Sequence, residues 1–412
     1  MSAGLTPEGI EALDAALNRH VARGSLPGLV ALVASGDDVH VAALGHKAFG
    51  DAEPIGRDAI FRIASLTKPI AGVAAMLLIE DGAMALDDPV GRWLPELAEP
   101  RVLRTLGSSL DDTVPAERPI TVEDLLSFHM GFGSIMSLGP YPIWQAESDL
   151  GLKTLAPPWP PPDLTPDEWI ARLGQLPLLD QPGTRWRYNT GATVAGVLIE
   201  RVAGAPLADV MRERVFEPLG MADTGFWVPA DKMGRFTTFY APDPDDGELQ
   251  VIDRPGGWWS APPKLPDAAA SLVSTVDDLW AFAAMLASGG GDLLSAESVR
   301  LMTADRMTAR DRAENQVFVG DHGGWGLMMA VPSAADSAGS AGSPGSAPAA
   351  GSAAPADIPG GYGWEGGAGT TWRTDTAAGL TGILLSQRQA TSPEPTEIAK
   401  DFWTAAYAAT GS

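Results

Sequence analysis

The stretch Phe61-Arg-Ile-Ala-Ser-Leu-Thr-Lys68 joins a short β-prone run at 60–63 to a long segment rich in Ala, Leu and Met at 67–79. Because that segment is apolar nearly all round, it predicts a buried helix. Ser65 then lies at the N-terminus of the helix, and Lys68 lies on the same face one turn later. The stretch therefore predicts a strand-to-helix junction that places a serine beside a lysine.

Ser65 and Lys68 form an S-x-x-K pattern that is short enough to arise by chance, so its surroundings have to support it. A lysine at the start of a buried helix is poorly solvated, and its amine must find partners or lose its proton. Such an amine can activate a serine nucleophile, and the helix N-terminus offers N–H groups to a developing oxyanion. The alternative is that Ser65 only caps the helix while Lys68 extends to the surface.

A second stretch, Pro182-Gly-Thr-Arg-Trp-Arg-Tyr188-Asn189-Thr190-Gly191, places a tyrosine in a polar turn ahead of a helix predicted at 193–203. Without a chemical role, Tyr188 would be a half-buried aromatic residue. A third stretch, Gly361-Tyr-Gly-Trp364-Glu365-Gly366-Gly367-Ala-Gly369, contains a formal G-x-G-x-x-G. A strand is predicted after it where a dinucleotide site needs a helix, which excludes nucleotide binding. Its glycines indicate either a bulge or a close approach of substrate to the backbone.

The order of predicted elements divides the chain into two parts. A helix at 6–23 and a hairpin come first, helices between Pro/Gly-rich loops follow from residue 86, and strands return in the last third. The predicted strands are 29–34, 39–44, 60–63, 325–331, 370–374 and 379–386. We predict a discontinuous α/β domain, 1–85 with 265–412, and a mostly helical domain, 86–264, that carries active-site loops.

Two segments are predicted to lack regular structure. Residues 131–165 are nearly helix-free by composition, and a long loop of this kind is more often a binding element than a spacer. Residues 333–356 contain only Ser, Ala, Gly, Pro and one Asp, which predicts a flexible insertion.

In this order, Ser65-x-x-Lys68, Tyr188 and Trp364-Glu365-Gly366 resemble the motifs of the serine β-lactamase and penicillin-binding-protein superfamily. The likeness is nearest to its class C-like branch and, within that branch, to the family VIII carboxylesterases. It is supported by Leu125-Leu-Ser-Phe-His-Met-Gly131 and Leu219-Gly-Met-Ala-Asp-Thr-Gly225 and spans nearly the whole chain. The resemblance implies a β-lactamase/transpeptidase-like α/β (α+β) fold, with an antiparallel sheet flanked by helices and a second, mostly helical domain.

The resemblance also implies roles for single residues. Ser65 would be the acylated nucleophile, Lys68 and Tyr188 would share the proton transfers, and the backbone N–H groups of Ser65 and Gly367 would form the oxyanion hole. The substrate-binding residues that it implies are Trp364, Gly366 and Gly367. Trp258 and Trp259 are further candidates for an apolar acyl pocket, unless they pack in the core.

Two positions depart from the β-lactamase pattern. Thr190 stands where the Tyr-x-Asn motif has its asparagine, so the amide that helps to hold a β-lactam side chain is absent or shifted to Asn189. Trp364 replaces the lysine of Lys-Thr-Gly, which removes the cation that receives a β-lactam carboxylate, and Glu365 would add repulsion if it pointed inward. Both departures favour a neutral ester.

We therefore predict a serine carboxylesterase acting through an acyl-enzyme on Ser65. The alternatives are an acyltransferase, a β-lactamase or D-amino-acid peptidase, and a non-catalytic binding protein.

The composition limits the partners. The chain has 412 residues, with 28 Lys and Arg against 52 Asp and Glu, and its net charge of −24 repels phosphate backbones and anionic membranes. We predict a small-molecule ester as partner, with no nucleic acid and no membrane, and the oligomeric state stays open. The absence of cysteine excludes thiol chemistry, and the histidines lack metal-site spacing, so we expect no metal and no cofactor. The first residues do not resemble a signal peptide, which predicts a cytoplasmic protein.

Overall fold

The computed structural model describes residues 4–152, 162–333 and 361–411. Its strands are β1 Gly28–Ser35, β2 Asp38–Gly45, β3 Phe61–Arg62, β4 Arg101–Leu103, β5 Thr113–Pro115, β6 Phe239–Pro242, β7 Leu249–Asp253, β8 Val273–Ser274, β9 Gly323–Trp325, β10 Ala330–Pro332, β11 Tyr362–Gly366, β12 Thr370–Asp375 and β13 Leu380–Ser386. Seven of them form one antiparallel sheet in the order β2-β1-β13-β12-β11-β10-β9, and β3-β8, β4-β5 and β6-β7 form small two-stranded sheets.

The α-helices in the same residues cover the sheet and build the region between residues 86 and 264. They are α1 Pro7–Ala22, α2 Thr67–Glu80, α3 Val122–Leu126, α4 Pro142–Asp149, α5 Pro166–Leu173, α6 Thr190–Ala203, α7 Leu207–Met211, α8 Glu217–Leu219, α9 Val276–Ala287, α10 Ala296–Met302, α11 Ala309–Glu314, α12 Gln316–Val319 and α13 Glu397–Ala409. A π-helical stretch, Arg212–Phe216, joins α7 to α8. Within the described ranges, no helix is both long enough and apolar enough to cross a bilayer.

Strand β1 is buried on both faces of the sheet. Leu29, Ala31 and Val33 of β1 pack with residues of α1 and α13, whereas Val30 and Leu32 belong to the larger core, which includes α2 and α9. All eight residues of β1 are buried. Covering both faces explains why this strand is apolar throughout instead of alternating. The predicted α/β (α+β) class, with an antiparallel sheet flanked by helices, is confirmed.

The junction between β3 and α2 has the predicted form. β3 pairs with β8, and the Ile63 N–H donates to the Leu272 carbonyl at 3.0 Å. A single 3₁₀ turn, Ala64–Leu66, then leads into α2, in which 12 of 14 residues are buried. Ala64 has φ of +46°, a conformation that non-glycine residues seldom adopt. The Thr67 hydroxyl secures this turn, because it donates to the Ala64 carbonyl at 2.7 Å and accepts from the Leu272 N–H at 3.1 Å.

Two predictions about elements are wrong, and one strand was not predicted. Residues 131–165 include helix α4, which begins at Pro142, a residue favoured in a first helical turn. The strand predicted at 325–331 is two strands, β9 and β10, because Met328 adopts φ of +67° and reverses the chain. The glycine-rich third stretch is itself strand β11. A Cβ at Gly363 would lie 2.0 Å from the Trp372 carbonyl oxygen, so glycine is required there by the close approach of β12.

Two further predictions are not decided. Apart from Ser333, the insertion predicted at 333–356 lies outside the described residues. The boundaries of the two domains also stay a prediction. One continuous apolar core contains Val73 of α2 and Leu198 of α6, which come from the two predicted domains.

Candidate active site

Ser65 lies at the edge of a cavity of about 260 Å³. Ser65 is partly exposed, whereas its neighbours Ala64 and Leu66 are buried. The cavity extends from Ser65 across the end of β11 to the loop at 389–396. The 3₁₀ turn therefore presents one hydroxyl to a space that a small molecule can enter.

Lys68 is completely buried beneath Ser65. Its Nζ lies 3.0 Å from Ser65 Oγ, 2.8 Å from Asn189 Oδ1 and 2.8 Å from the Ala269 carbonyl oxygen. An amide oxygen and a carbonyl oxygen can only accept hydrogen bonds, so two N–H groups of the lysine are committed to Asn189 and Ala269. When the amine is neutral, its third tetrahedral position carries a lone pair, and that position faces the Ser65 hydroxyl.

The surroundings of Lys68 favour that neutral form. Burial lowers the pKa of its amine from 10.5 to about 7, and the carboxylate of Asp267 opposes part of this effect. A substantial fraction of the amine is therefore unprotonated at neutral pH. Ser65 has a base within hydrogen-bond reach, as a nucleophilic serine requires.

Tyr188 occupies the other side of Ser65. It is largely buried, and its ring centroid lies 4.7 Å from Lys68 Nζ. Its Oη accepts a 2.7 Å hydrogen bond from Trp364 Nε1. Burial raises the pKa of the phenol to about 12, with the Ser65 and Trp364 side chains acting in the opposite direction. Tyr188 is therefore a neutral hydroxyl at pH 7 that can pass a proton on.

Aromatic rings pack around Tyr188 and fix its position. The rings within about 6 Å of it belong to Phe128, Trp186, Phe318, Trp325 and Trp364. Phe318 of α12 is partly exposed and lines the same cavity as Ser65. Aromatic walls of this kind favour apolar or uncharged groups in the cavity.

The third motif forms the opposite wall. Trp364, Gly366 and Gly367 all line the cavity with Ser65 and Tyr188. A Cβ at Gly366 would lie 2.1 Å from Thr370 Oγ1 and 2.4 Å from the Ile63 carbonyl oxygen, so no larger residue fits where β11 meets the Ser65 turn. The structure thus brings together the predicted catalytic residues Ser65, Lys68 and Tyr188 and the predicted substrate-binding residues Trp364, Gly366 and Gly367. The oxyanion hole formed by the N–H groups of Ser65 and Gly367 stays a prediction.

Several details differ from the expectations. Glu365 lines the cavity, but its side chain accepts from Thr371 Oγ1 at 2.9 Å and pairs with Arg373, which offsets its charge. The shifted amide of Asn189 holds Lys68. Of the three candidate tryptophans in the described chain, only Trp364 lines the cavity, since Trp259 packs over Arg62 and Trp258 lies at the surface.

Sequence reasoning missed Phe318, Ala269 and Asp267. The first two carry no chemical signature in the sequence. Asp267 does carry one, since a lone acidic residue before the apolar run Ala268-Ala-Ala270 is unusual for a buried segment. In the described residues, no group of three or more His, Asp or Glu side chains is placed to hold a metal ion.

Comparisons with known proteins place the chain in a family. The Beta-lactamase family model matches residues 13–402. Protein Rv1367c of Mycobacterium tuberculosis is 37% identical over 376 residues, which cover 88% of this chain and 86% of the relative. Esterase EstB of Burkholderia gladioli is 29% identical over 391 residues, which cover 91% of this chain and 89% of that protein.

A solved structure agrees in fold. EstCE1, described as a hydrolase with promiscuous acyltransferase activity, superposes with a TM-score of 0.77 at 24% identity, covering 97% of this chain and 99% of its own. At this identity the likeness concerns the fold alone. Together with the family match, it confirms the resemblance that the sequence motifs indicated. The chain belongs to the Beta-lactamase family.

Proposed function

We propose that the protein is a serine carboxylesterase that forms an acyl-enzyme on Ser65. The observation that carries this proposal is the position of Lys68. Two pure acceptors fix its Nζ, and its remaining position points at Ser65 Oγ from 3.0 Å. The neutral amine accepts the hydroxyl proton as Ser65 Oγ bonds to the ester carbonyl carbon.

The oxyanion that forms in this step lies beside the N–H groups of Ser65 and Gly367, which stabilise its charge. When the C–O bond to the alcohol breaks, the leaving oxygen takes a proton through the Tyr188 hydroxyl, and the proton held by Lys68 replaces it. Because Tyr188 Oη accepts from Trp364 Nε1, its own hydrogen stays free to point into the cavity. Water then attacks the acyl-serine with the same groups in reversed roles, which releases the acid and restores Ser65.

Selectivity for neutral esters follows from the wall opposite Ser65. An indole at Trp364 stands where a β-lactam carboxylate would need a cation. The absence of a charge-assisted hydrogen bond costs roughly 1.5 to 3 kcal/mol, or about one to two powers of ten in affinity. An uncharged acyl or alcohol group loses no affinity through the missing cation, because it packs against the aromatic rings instead.

The test compares kcat/KM for p-nitrophenyl butyrate and for a chromogenic cephalosporin in the wild type, Trp364→Lys and Trp258→Lys. The wild type should prefer the ester. In Trp364→Lys, the ratio of kcat/KM for the ester to kcat/KM for the cephalosporin should fall by roughly tenfold or more. Trp258→Lys, the matched control at an exposed tryptophan outside the cavity, should not change it. A wild-type preference for the cephalosporin would contradict the esterase proposal.

Acyl transfer is the second candidate, because it shares every step up to the acyl-enzyme. The two reactions differ only in whether water or an alcohol attacks the acyl-serine. Product analysis of the same reaction with added alcohols decides between them. An esterase yields butyric acid even when the acceptor is present, whereas an acyltransferase yields mostly the new ester.

A further inference from the structure

Asp267 is a buried acidic side chain close to the site that the reaction above does not use. It is 1% exposed and belongs to the segment 265–272. This segment contacts both α2 and α6. The segment is bonded to α2, since the Leu272 N–H donates to Thr67 Oγ1 at 3.1 Å. On the α6 side, Ala268 packs so closely that a Cβ at Gly196 would lie 2.9 Å from its methyl group. Asp267 therefore occupies a rigid position behind Ser65.

Ala269 connects Asp267 to Lys68. The Ala269 N–H donates to Asp267 Oδ1 at 2.9 Å, and the Ala269 carbonyl accepts from Lys68 Nζ at 2.8 Å. The carboxylate thus fixes the residue whose carbonyl fixes the lysine. Without this bond, no side chain would hold the Ala269 N–H, and the segment would keep the backbone bonds from the Ala270 and Ser271 N–H groups to the Asp267 carbonyl.

Asp267 and Lys68 are also coupled through their charges. The titratable groups that face Lys68 are Asp267 from the 265–272 segment and Tyr188 from the turn before α6. Tyr188 is neutral at pH 7, so the carboxylate is the charge that acts on the amine. Asp267 favours the ammonium form, whereas the burial that the two residues share disfavours it. Charges interact strongly in such a site because little solvent screens them.

We propose that Asp267 is a positioning residue that holds the Ala269 carbonyl against Lys68 and sets the pH at which Lys68 becomes a base. The proposal rests on the proposed role of Lys68 in ester cleavage. The carboxylate keeps the lysine able to hold a proton between the two halves of the reaction. If burial lowered the pKa of Lys68 further, the lysine would hold this proton less well.

The substitution Asp267→Asn separates the two parts of this role, since an amide oxygen still accepts from the Ala269 N–H but carries no charge. Removal of the negative charge lowers the pKa of Lys68. The acidic limb of kcat/KM against pH for p-nitrophenyl butyrate should therefore move to lower pH by about one unit, which corresponds to about tenfold more neutral amine well below the midpoint. Asp278→Asn makes the same chemical change at a buried aspartate of α9 and should leave the limb in place.

The unfolding midpoint tests the pairing without any substrate. Lys68→Met leaves the Asp267 carboxylate without its cation, so the midpoint should fall, and the loss should grow as pH rises from 5 to 8. Two effects make the loss grow. The wild type gains stability above about pH 7, where Lys68 is neutral in the folded state but still charged in the unfolded chain, and Lys68→Met lacks this gain. In addition, burial without a cation raises the pKa of Asp267, and the stability that its protonated form provides is lost as pH rises through that pKa. In the double variant Lys68→Met/Asp267→Asn, the part of the pH dependence that comes from Asp267 should disappear, so the midpoints of the single and double variants should diverge as pH rises.

These measurements distinguish failure of this proposal from failure of the proposed esterase function. If the wild type turns over neither p-nitrophenyl butyrate nor the cephalosporin, the esterase function is wrong. The unfolding series still decides whether Asp267 and Lys68 are coupled. If Asp267→Asn does not fold, the pH series of Lys68→Met between pH 5 and 7 decides it, because the lysine of the wild type contributes little pH dependence in that range. An unmoved acidic limb in folded Asp267→Asn, or an unfolding midpoint of Lys68→Met that follows pH as that of Lys68→Met/Asp267→Asn does, would overturn the role of Asp267.

Discussion

Arg62 and Lys68 lie on either side of Ser65, and both carry a buried cationic side chain. Arg62 is paired directly with the carboxylate of Asp253, donates to the Thr237 carbonyl at 2.8 Å and stacks 4.0 Å from the centroid of Phe236. Lys68 is bonded to three oxygens, none of which belongs to a carboxylate. Burial lowers the pKa of Arg62 only to about 10 and that of Lys68 to about 7.

The difference separates a structural cation from a reactive one. A carboxylate in direct contact keeps the charge of Arg62 at every physiological pH, so its contribution is to hold β3 against the 236–253 region. A carboxylate that acts through an intervening residue leaves Lys68 close to its midpoint. The same depth of burial thus yields a fixed ion pair on one side of the nucleophile and a titratable base on the other.

Removal of the titratable lysine should have the largest effect. In Lys68→Met, kcat/KM for p-nitrophenyl butyrate should fall roughly a thousandfold, as expected for a lost general base. Steady-state rates with circular dichroism of the same sample check this prediction. A folded Lys68→Met variant that keeps a tenth of the wild-type rate would remove Lys68 from the reaction.

Removal of the structural cation should act on stability instead. Arg62→Met leaves Asp253 buried without its partner, which lowers the free energy of unfolding by about 3 to 5 kcal/mol. Urea unfolding of Arg62→Met and Lys68→Met side by side measures the contrast, and the loss should be larger for Arg62→Met. Equal losses of stability for the two variants would mean that their different bonding has no energetic consequence.

The pH dependence of acylation should report the midpoint of Lys68. Only the neutral amine accepts the Ser65 proton, so kcat/KM should decline about tenfold per pH unit below about pH 7 and level off above it. Rates between pH 5 and 9 in a buffer series of constant ionic strength test this. A flat profile between pH 5 and 7 would show that the titrating base is not Lys68.

The smallest expected effect concerns Trp364. Trp364→Phe keeps an aromatic wall but removes the N–H that donates to Tyr188 Oη, a loss of about 1 kcal/mol or about fivefold in kcat/KM. Trp325→Phe is the matched control. The ring centroid of Trp325 lies 4.6 Å from that of Trp364, but the Tyr188 Oη accepts its hydrogen bond from Trp364 and not from Trp325. Equal effects of the two substitutions would indicate packing rather than a hydrogen bond.

The parts of the site that are local in sequence could be predicted. Ser65 and Lys68 share one helical turn, so their spacing alone brings them together, and the apolar run behind them predicts the burial that makes the amine reactive. Tyr188 and Trp364 are brought to the same place by the fold, and only the resemblance to a known family connected them. The predictions at 29–34 and 39–44 succeeded because a short polar turn between two β-prone runs leaves few alternatives to a hairpin.

The rest depends on contacts between distant segments. The position of Asn189 beside Lys68 follows from its φ of +83°, which the sequence does not encode in any pattern. Ala269 contributes a backbone carbonyl, and backbone groups leave no trace in side-chain chemistry. β11 is glycine-rich because β12 and the Ser65 turn approach it closely, so the residues that disfavour a strand locally are those that the tertiary structure requires.

The most direct test of the central claim is covalent labelling of the nucleophile by a neutral p-nitrophenyl alkylphosphonate ester. Intact-protein mass spectrometry and peptide mapping after reaction at pH 8 should find one phosphonyl group per chain, attached to Ser65. Labelling should be lost in Ser65→Ala and strongly slowed in Lys68→Met. An adduct on another residue, or labelling of Ser65→Ala at the wild-type rate, would contradict the assignment of Ser65 as the nucleophile activated by Lys68.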